Sequence, residues 1–180
     1  MGKDTEYVIH TSHLNVELPS LGYRNVKKIT VEGAVGEGVG HTMAGGVIVV
    51  NGNAGANAGF ALMDGTIILN GNTGSHLGAA MEGGTIIVNG DAEEAVGYGM
   101  YAGTITVNGN VGPGIGLMEG GKITVNGNVC GAVGENPYDI ESDMNTMKGG
   151  EIHLNGDYGT ISDGIEKGKI YHKGKLIVDK

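Results

Sequence analysis

The sequence is short of several residue types at once. Its 180 residues include no tryptophan, one phenylalanine, three prolines and one cysteine. A single cysteine, Cys130, excludes an internal disulfide and a cysteine-based metal cluster. Scarce proline and the lack of a G-X-Y period exclude collagen, despite 37 glycines. Positive charge is scarce too: 11 Lys and Arg against 20 Asp and Glu give a formal charge of −9. No basic cluster offsets it, which argues against nucleic acid and anionic membrane surfaces as partners. No apolar run approaches the roughly 20 residues of a membrane-spanning helix. The opening residues, MGKDTEYVIH, lack the layout of a signal peptide, so the cytoplasm is the expected location.

Glycine is what the chain has in excess, and it is periodic. Asn-Gly begins at positions 51, 70, 89, 108, 126 and 155, at intervals of 19, 19, 19, 18 and 29. The long interval is one period plus an insertion, ENPYDIESDMNT, residues 135–146. One period before Gly52 stands Gly33, and one period after Gly156 stands Gly174, so eight glycines mark about eight copies of one unit. A β-like tetrapeptide precedes each marker: KITV, VIVV, TIIL, TIIV, TITV, KITV, EIHL and KIYH. A second glycine follows seven residues after most markers, at 40, 59, 78, 97, 116 and 134. The stretch VGEGVG before His41 looks like a dinucleotide-binding loop, but AGANAG, TGSHLG, VGPGIG and VCGAVG occupy the same slot. A phosphate loop is normally a single loop that opens a helix, and here another β run follows.

Units of 18 to 19 residues have room for short strands and sharp turns but not for a helix. Such units bury their apolar faces only by stacking, at about 4.8 Å per coil. The expected fold is all-β: a single-stranded, right-handed parallel β-helix of about eight coils. Period-two alternation predicts an inward isoleucine ladder at Ile29, Ile48, Ile67, Ile86, Ile105, Ile123, Ile152 and Ile170. A second inward column runs Val31, Val50, Leu69, Val88, Val107, Val125, Leu154 and His172, and a third runs Met43, Leu62, Met81, Met100, Met118, Met147 and Ile165. Asn51, Asn70, Asn89, Asn108 and Asn126 are expected to stack as an amide ladder, with Asn155 continuing it. Their glycines are expected to supply a positive φ at the corner. Asn53, Asn72, Asn110 and Asn128, with Asp91 and Asp157, form a second polar corner column. Residues 1–27 do not repeat; with Leu14, Val16, Leu18 and Leu21 they are expected to form the N-terminal cap of a β-helix over 28–180. KLIVDK, residues 175–180, reads as a last strand.

No catalytic constellation emerges, and no catalytic, cofactor-binding or metal residue is assigned. The histidines at 10, 13, 41, 76, 153 and 172 share no column in neighbouring units. No serine lies in a G-x-S-x-G elbow. Cys130 has no adjacent basic group and reads as a buried or inert thiol. The carboxylates Asp91, Glu93, Glu94, Glu135, Asp139, Glu141 and Asp143 lack the G-G-x-G-x-D calcium repeat and read as solvated loops. An acyltransferase of the left-handed type needs a six-residue sub-period, which is absent. An ice-binding face needs a long T-x-T array, and only Thr104-Ile105-Thr106 supplies one.

One feature points to function. Outward strand positions are polar in late units, as at Lys122, Thr124, Glu151, His153, Lys169 and Tyr171. In early units Val47, Val49, Ile68 and Ile87 occupy them, with Thr66 and Thr85. Such an apolar patch is either a partner surface or a strip covered by the N-terminal segment. Phe60, Tyr98 and Tyr101 are corner aromatics expected to extend it.

The unit GGxIxVxGNxGxxxGxxMxGG, with Gly45-Gly46, Gly83-Gly84 and Gly120-Gly121, resembles the GXGXG family across roughly residues 28–174. That family comprises the C-terminal β-helix domain of glutamate synthase large subunits and the β-helical subunit of formylmethanofuran dehydrogenase. The resemblance implies a non-catalytic structural or assembly subunit of an oxidoreductase complex. Its partners would be glutaminase and FMN-synthase chains, or molybdopterin subunits. FMN, an iron–sulfur cluster, molybdopterin or tungstopterin would then belong to those partners and not to this chain. The other reading is a stand-alone, self-associating β-helix, a homo-oligomer with no enzyme partner.

Overall fold

The structure is a computed structural model, and it describes residues 6–11, 20–138 and 146–180. Among them the chain forms twelve strands and no α-helix. These are β1 (Glu6–His10), β2 (Lys28–Glu32), β3 (Ala44–Asn51), β4 (Asp64–Leu69), β5 (Thr85–Val88) and β6 (Thr104–Val107). They continue as β7 (Lys122–Val125), β8 (Val129–Val133), β9 (Glu151–Leu154), β10 (Tyr158–Ile161), β11 (Lys169–His172) and β12 (Lys175–Asp179). Ten of them form one sheet in the order β1-β2-β3-β4-β5-β6-β7-β9-β11-β12. Every neighbouring pair is parallel except β11–β12. Strands β2 to β7, β9 and β11 each pair with their equivalents one coil away, so the chain is a parallel β-helix of about eight turns.

The register is the one the repeat dictates. Ile29, Ile48, Ile67, Ile86, Ile105, Ile123, Ile152 and Ile170 are successive partners across the sheet. All eight are buried. A fully buried isoleucine contributes roughly 1.5–3 kcal/mol of transfer free energy, so this column alone is a large share of the driving force. The methionine-rich column from Met43 to Ile165 is buried as well. His172 ends the second column only half-buried, its ring set edge-on to Tyr158 at 5.1 Å.

Two further core columns appear. Val39, Ala58, Leu77, Val96, Ile115 and Val133 each precede a corner glycine, and all are completely buried. Val35, Ala54, Thr73, Ala92, Val111 and Val129 line a second side of the coil, where parallel bridges run from Ala54 through Thr73, Ala92 and Val111 to Val129. The parallel pair β8–β10 extends that side.

The corner glycines are held by both conformation and space. Gly40, Gly59, Gly78, Gly97 and Gly116 have φ between +64° and +82°. A Cβ on any of them would overlap Cδ1 of Ile67, Ile86, Ile105, Ile123 or Ile152 in turn. The expectation for the Asn-Gly glycines is corrected. Gly52, Gly71, Gly90, Gly109, Gly127 and Gly156 do not have positive φ. They are glycine because a Cβ would come closer than 3.0 Å to the preceding coil's backbone or its Asn or Asp side chain. Close stacking, not turn conformation, selects them.

Both ends depart from the plain repeat. Residues 20–25 run in register with the coil above: Ser20 N–H donates to Glu37 O (2.7 Å) and Gly40 N–H to Leu21 O (2.7 Å). Gly22, with φ of +77°, abuts Ile48 just as Gly40 abuts Ile67. A coil without an Asn-Gly marker therefore lies inside the segment expected as a cap, and β1 adds a strand before it. Leu14, Val16 and Leu18 lie outside the described residues. At the other end Lys173 (φ 49°) and Gly174 (φ 77°) form a two-residue hairpin turn, and β12 folds back antiparallel on β11.

Candidate functional site

The outer face of the ten-stranded sheet is built from the residues that alternate with the buried ladders. One outward column runs Lys28, Val47, Thr66, Thr85, Thr104, Lys122, Glu151 and Lys169. The other runs Thr30, Val49, Ile68, Ile87, Thr106, Thr124, His153 and Tyr171. The structure thus brings Val49, Ile68 and Ile87 side by side across β3, β4 and β5, with Val47 beside Thr66. All four aliphatic side chains are partly exposed. Polar residues flank the patch, Lys28 and Thr30 on β2 and Thr104 and Thr106 on β6, with charge further out. Lys28 pairs with Glu6 at 2.7 Å on one side, and on the other His153 contacts Glu151 at 3.2 Å and stacks on Tyr171 at 4.5 Å.

Phe60, Tyr98 and Tyr101 are not on the strands that carry this face. Phe60 and Tyr98 sit on turns between strands. Phe60 meets His41 edge-on at 5.0 Å, and His41 meets Tyr23 edge-on at 5.6 Å, so the three form an aromatic row along one corner. Tyr98 instead lies near His76, at 6.1 Å. Tyr101 is exposed just before β6.

An open hollow of about 370 Å³ lies beside the aromatic row, lined by Ser20, Glu37, Gly38, His41, Asn57 and Phe60. It holds a hydroxyl, an imidazole and a carboxylate. Among the described residues no hydrogen bond joins those three side chains. The repeat leaves one faint sign of the hollow: Gly38 and Asn57 occupy the same slot of successive units, where φ is 71° and 60°. Backbone donors that could cradle a phosphate are already taken. The N–H groups of Gly38, Gly40 and Thr42 donate to Ala56 O, Leu21 O and Phe60 O, at 2.7–2.9 Å.

The polar corners are fully engaged in stacking. Nδ2 of Asn70, Asn89, Asn108, Asn126 and Asn155 each donates to Oδ1 of the asparagine one coil earlier, at 2.6–2.7 Å. Asn51 Nδ2 donates to Glu32 Oε1 at 2.8 Å, which starts the ladder. In the second corner column Asn53, Asn72, Asp91, Asn110 and Asn128 each accept a backbone N–H from the next coil at 2.6–2.9 Å. Asp91 therefore has a structural partner, and Glu93 is exposed.

Cys130 is exposed, so of the expected buried or inert thiol the buried alternative is corrected. It alternates with the buried Val129 on β8 and so points outward. Among the described residues no group of three His, Cys, Asp or Glu side chains could hold a metal ion. His13, Asp139, Glu141 and Asp143 lie outside the described residues. The base of the insertion is closed by an antiparallel bridge between Glu135 and Thr146. Tyr138 reaches back along the corner to stack on His76 at 5.7 Å, with its hydroxyl 3.3 Å from Nε2. Burial, Glu94 and Tyr98 raise the Tyr138 pKa above its ordinary value. The small Gly114 of the same column makes room for Pro137.

Compared with protein-family models and with curated proteins, the chain matches none.

Proposed function

We propose that this chain is a non-catalytic scaffold that docks partner subunits on the outer face of its ten-stranded sheet. The reading extends to an assembly subunit of an oxidoreductase complex, of the glutamate synthase GXGXG type or of the type found in formylmethanofuran dehydrogenase. One observation carries it. Val47, Val49, Ile68 and Ile87 stand in register on three adjacent strands, in columns that elsewhere hold lysine, glutamate and threonine. Nothing in the stacking of coils calls for aliphatic side chains there, and a contiguous exposed patch on a rigid face fits a partner surface. The repeat resemblance supplies the class of partner. Cofactors such as FMN, an iron–sulfur cluster or a pterin-bound molybdenum or tungsten would reside in those partners. Such a complex belongs to the cytoplasm.

The test is affinity capture of the tagged chain from its native host, with mass spectrometry and flavin, iron and metal analysis of the captured material. A glutaminase chain with FMN supports the first type, and a pterin with molybdenum or tungsten supports the second. The same capture with Ile87→Asp should lose the partner. Capture of the chain alone would overturn the assembly reading.

A further inference from the structure

A ten-stranded sheet has two edges, and here they differ. The edge at β12 is irregular. Its pairing with β11 passes from Val178 to Leu176, leaving Ile177 without a partner in the register, and Lys175 and Lys180 flank the strand. A bulge and lysines on an edge are devices that stop another strand from adding to it. The edge at β1 has none of them. Glu6, Tyr7, Val8, Ile9 and His10 pair with Lys28–Glu32 without a break in register. The strand contains no lysine, proline or glycine. Tyr7 is 51% and Val8 55% exposed, and among the described residues no strand pairs with the other side of β1.

The direction of the free groups follows from one bond. Thr11 N–H donates to Glu32 O at 2.9 Å, so Thr11 faces β2. By the alternation of a strand Ile9 and Tyr7 do the same, and the N–H and C=O of Glu6, Val8 and His10 point out into the open edge. That set is symmetric about Val8. An antiparallel copy placed by a two-fold axis through Val8 sets Val8 opposite Val8 and Glu6 opposite His10, twice. Each opposing pair exchanges two backbone hydrogen bonds, six in all, which uses every outward group of the strand. The side chains agree with this register. On the outer face glutamate meets histidine and valine meets valine. On the inner face Tyr7 meets Ile9, and Ile9 packs against the core. Cross-strand pairs of these kinds stabilise a sheet. Closed two-fold symmetry also ends the association at two chains, whereas β1 on β12 would propagate as a fibre.

We propose that two copies of this chain pair head to head through β1, joining their sheets into one continuous sheet of twenty strands. This surface is separate from the patch on β3–β5, and the proposal stands whether or not that patch binds a partner.

Sedimentation velocity on the full chain tests it. The expected species has twice the 18.3 kDa chain mass. Val8→Pro removes the central outward donor and should weaken dimerisation by at least about tenfold. If the proline variant fails to fold, Val8→Lys serves instead, because it sets like charges face to face at the two-fold axis. Ile87→Asp should leave the dimer intact. In a Cys130→Ser background, Val8→Cys should oxidise to a covalent dimer, since the hydrogen-bonded pair separates Cα atoms by about 5.5 Å. His10→Cys should not, because the axis places the two copies of that residue far apart. A monomeric wild-type chain, a dimer unaffected by both Val8 variants, or cross-linking through Ile177→Cys in place of Val8→Cys would each overturn the proposal.

Discussion

Single residues in this fold are constrained by the coil above or below as much as by their own backbone. Gly78 shows the distinction. Its φ of +64° is shared by residues that are not glycine: Ala61, Ala80 and Ala95 adopt φ of 51°, 53° and 60°. Positive φ alone therefore does not require glycine. The overlap with Ile105 does. We expect Gly78→Ala to cost about 2–4 kcal/mol, combining backbone strain with overpacking of the isoleucine column. Gly174→Ala, at φ of +77° with nothing within 4 Å of the new methyl group, should cost only about 1 kcal/mol. Urea denaturation of both variants reads the difference. Ile86→Asp should go further and prevent folding altogether, since it leaves an unpaired carboxylate in the ladder; loss of β circular dichroism in that variant is the check. The same logic explains what the residue pattern hid. Asn-Gly ordinarily signals a tight turn, so the sequence suggested positive φ at markers where the contact between coils is the actual constraint.

At the level of elements, the strands were legible and the turns were not. Four-residue strands repeating isoleucine at one position announce a buried column, and the register follows from the 19-residue period. The columns from Val35 to Val129 and from Val39 to Val133 escaped because their residues change from coil to coil and stand among glycines, with no run of alternation to read. The coil at residues 20–25 escaped because it has neither a strand tetrapeptide nor a marker. The contact of Tyr138 with His76 spans 62 residues and leaves no local trace. Strand β1 carries a prediction of its own. Its outer-face carboxylate, Glu6, is hydrogen-bonded and ion-paired to Lys28 and accepts from Thr30 at 3.3 Å. These partners lower the Glu6 pKa from its ordinary value of 4.5. A depressed carboxylate contributes stability above its unfolded pKa and loses that contribution as pH falls through the folded value. Relative to the intrinsic exchange rate, the protection of β1 amides should therefore fall below about pH 4.5, while β4 and β5 keep theirs. Hydrogen-exchange mass spectrometry across that range gives the comparison, and Lys28→Met should weaken the pH dependence.

Over the whole molecule, the stack separates stability from recognition. Inward columns are replaced only at a cost to folding, while the outward columns are free to vary coil by coil. That freedom makes the aliphatic run on β3–β5 informative, and it was readable from alternation alone because the lysines and glutamates of later coils provide the contrast. Ile87→Asp should leave the thermal midpoint within a few degrees of wild type, as exposed substitutions usually change stability by less than about 0.5 kcal/mol. Thermal melting followed by circular dichroism measures that, and a large drop would mean the face is internally buried. The hollow beside His41 and Phe60 was not legible as a cavity, because it gathers Ser20, Glu37 and Asn57 from three coils.

The asparagine ladder has one more consequence. A carboxylate can only accept, so Glu32 obliges Asn51 to present its amide nitrogen downward, and that leaves its oxygen for Asn70. The choice propagates without freedom through Asn89, Asn108 and Asn126 to Asn155. Six side-chain dipoles are thereby locked head to tail by a single anion at one end. The rod acquires a vector, with its positive pole at the β2 end, much as a helix concentrates partial positive charge at its N-terminus. Glu32 neutralises that pole, and its replacement by glutamine would free the whole file to reverse.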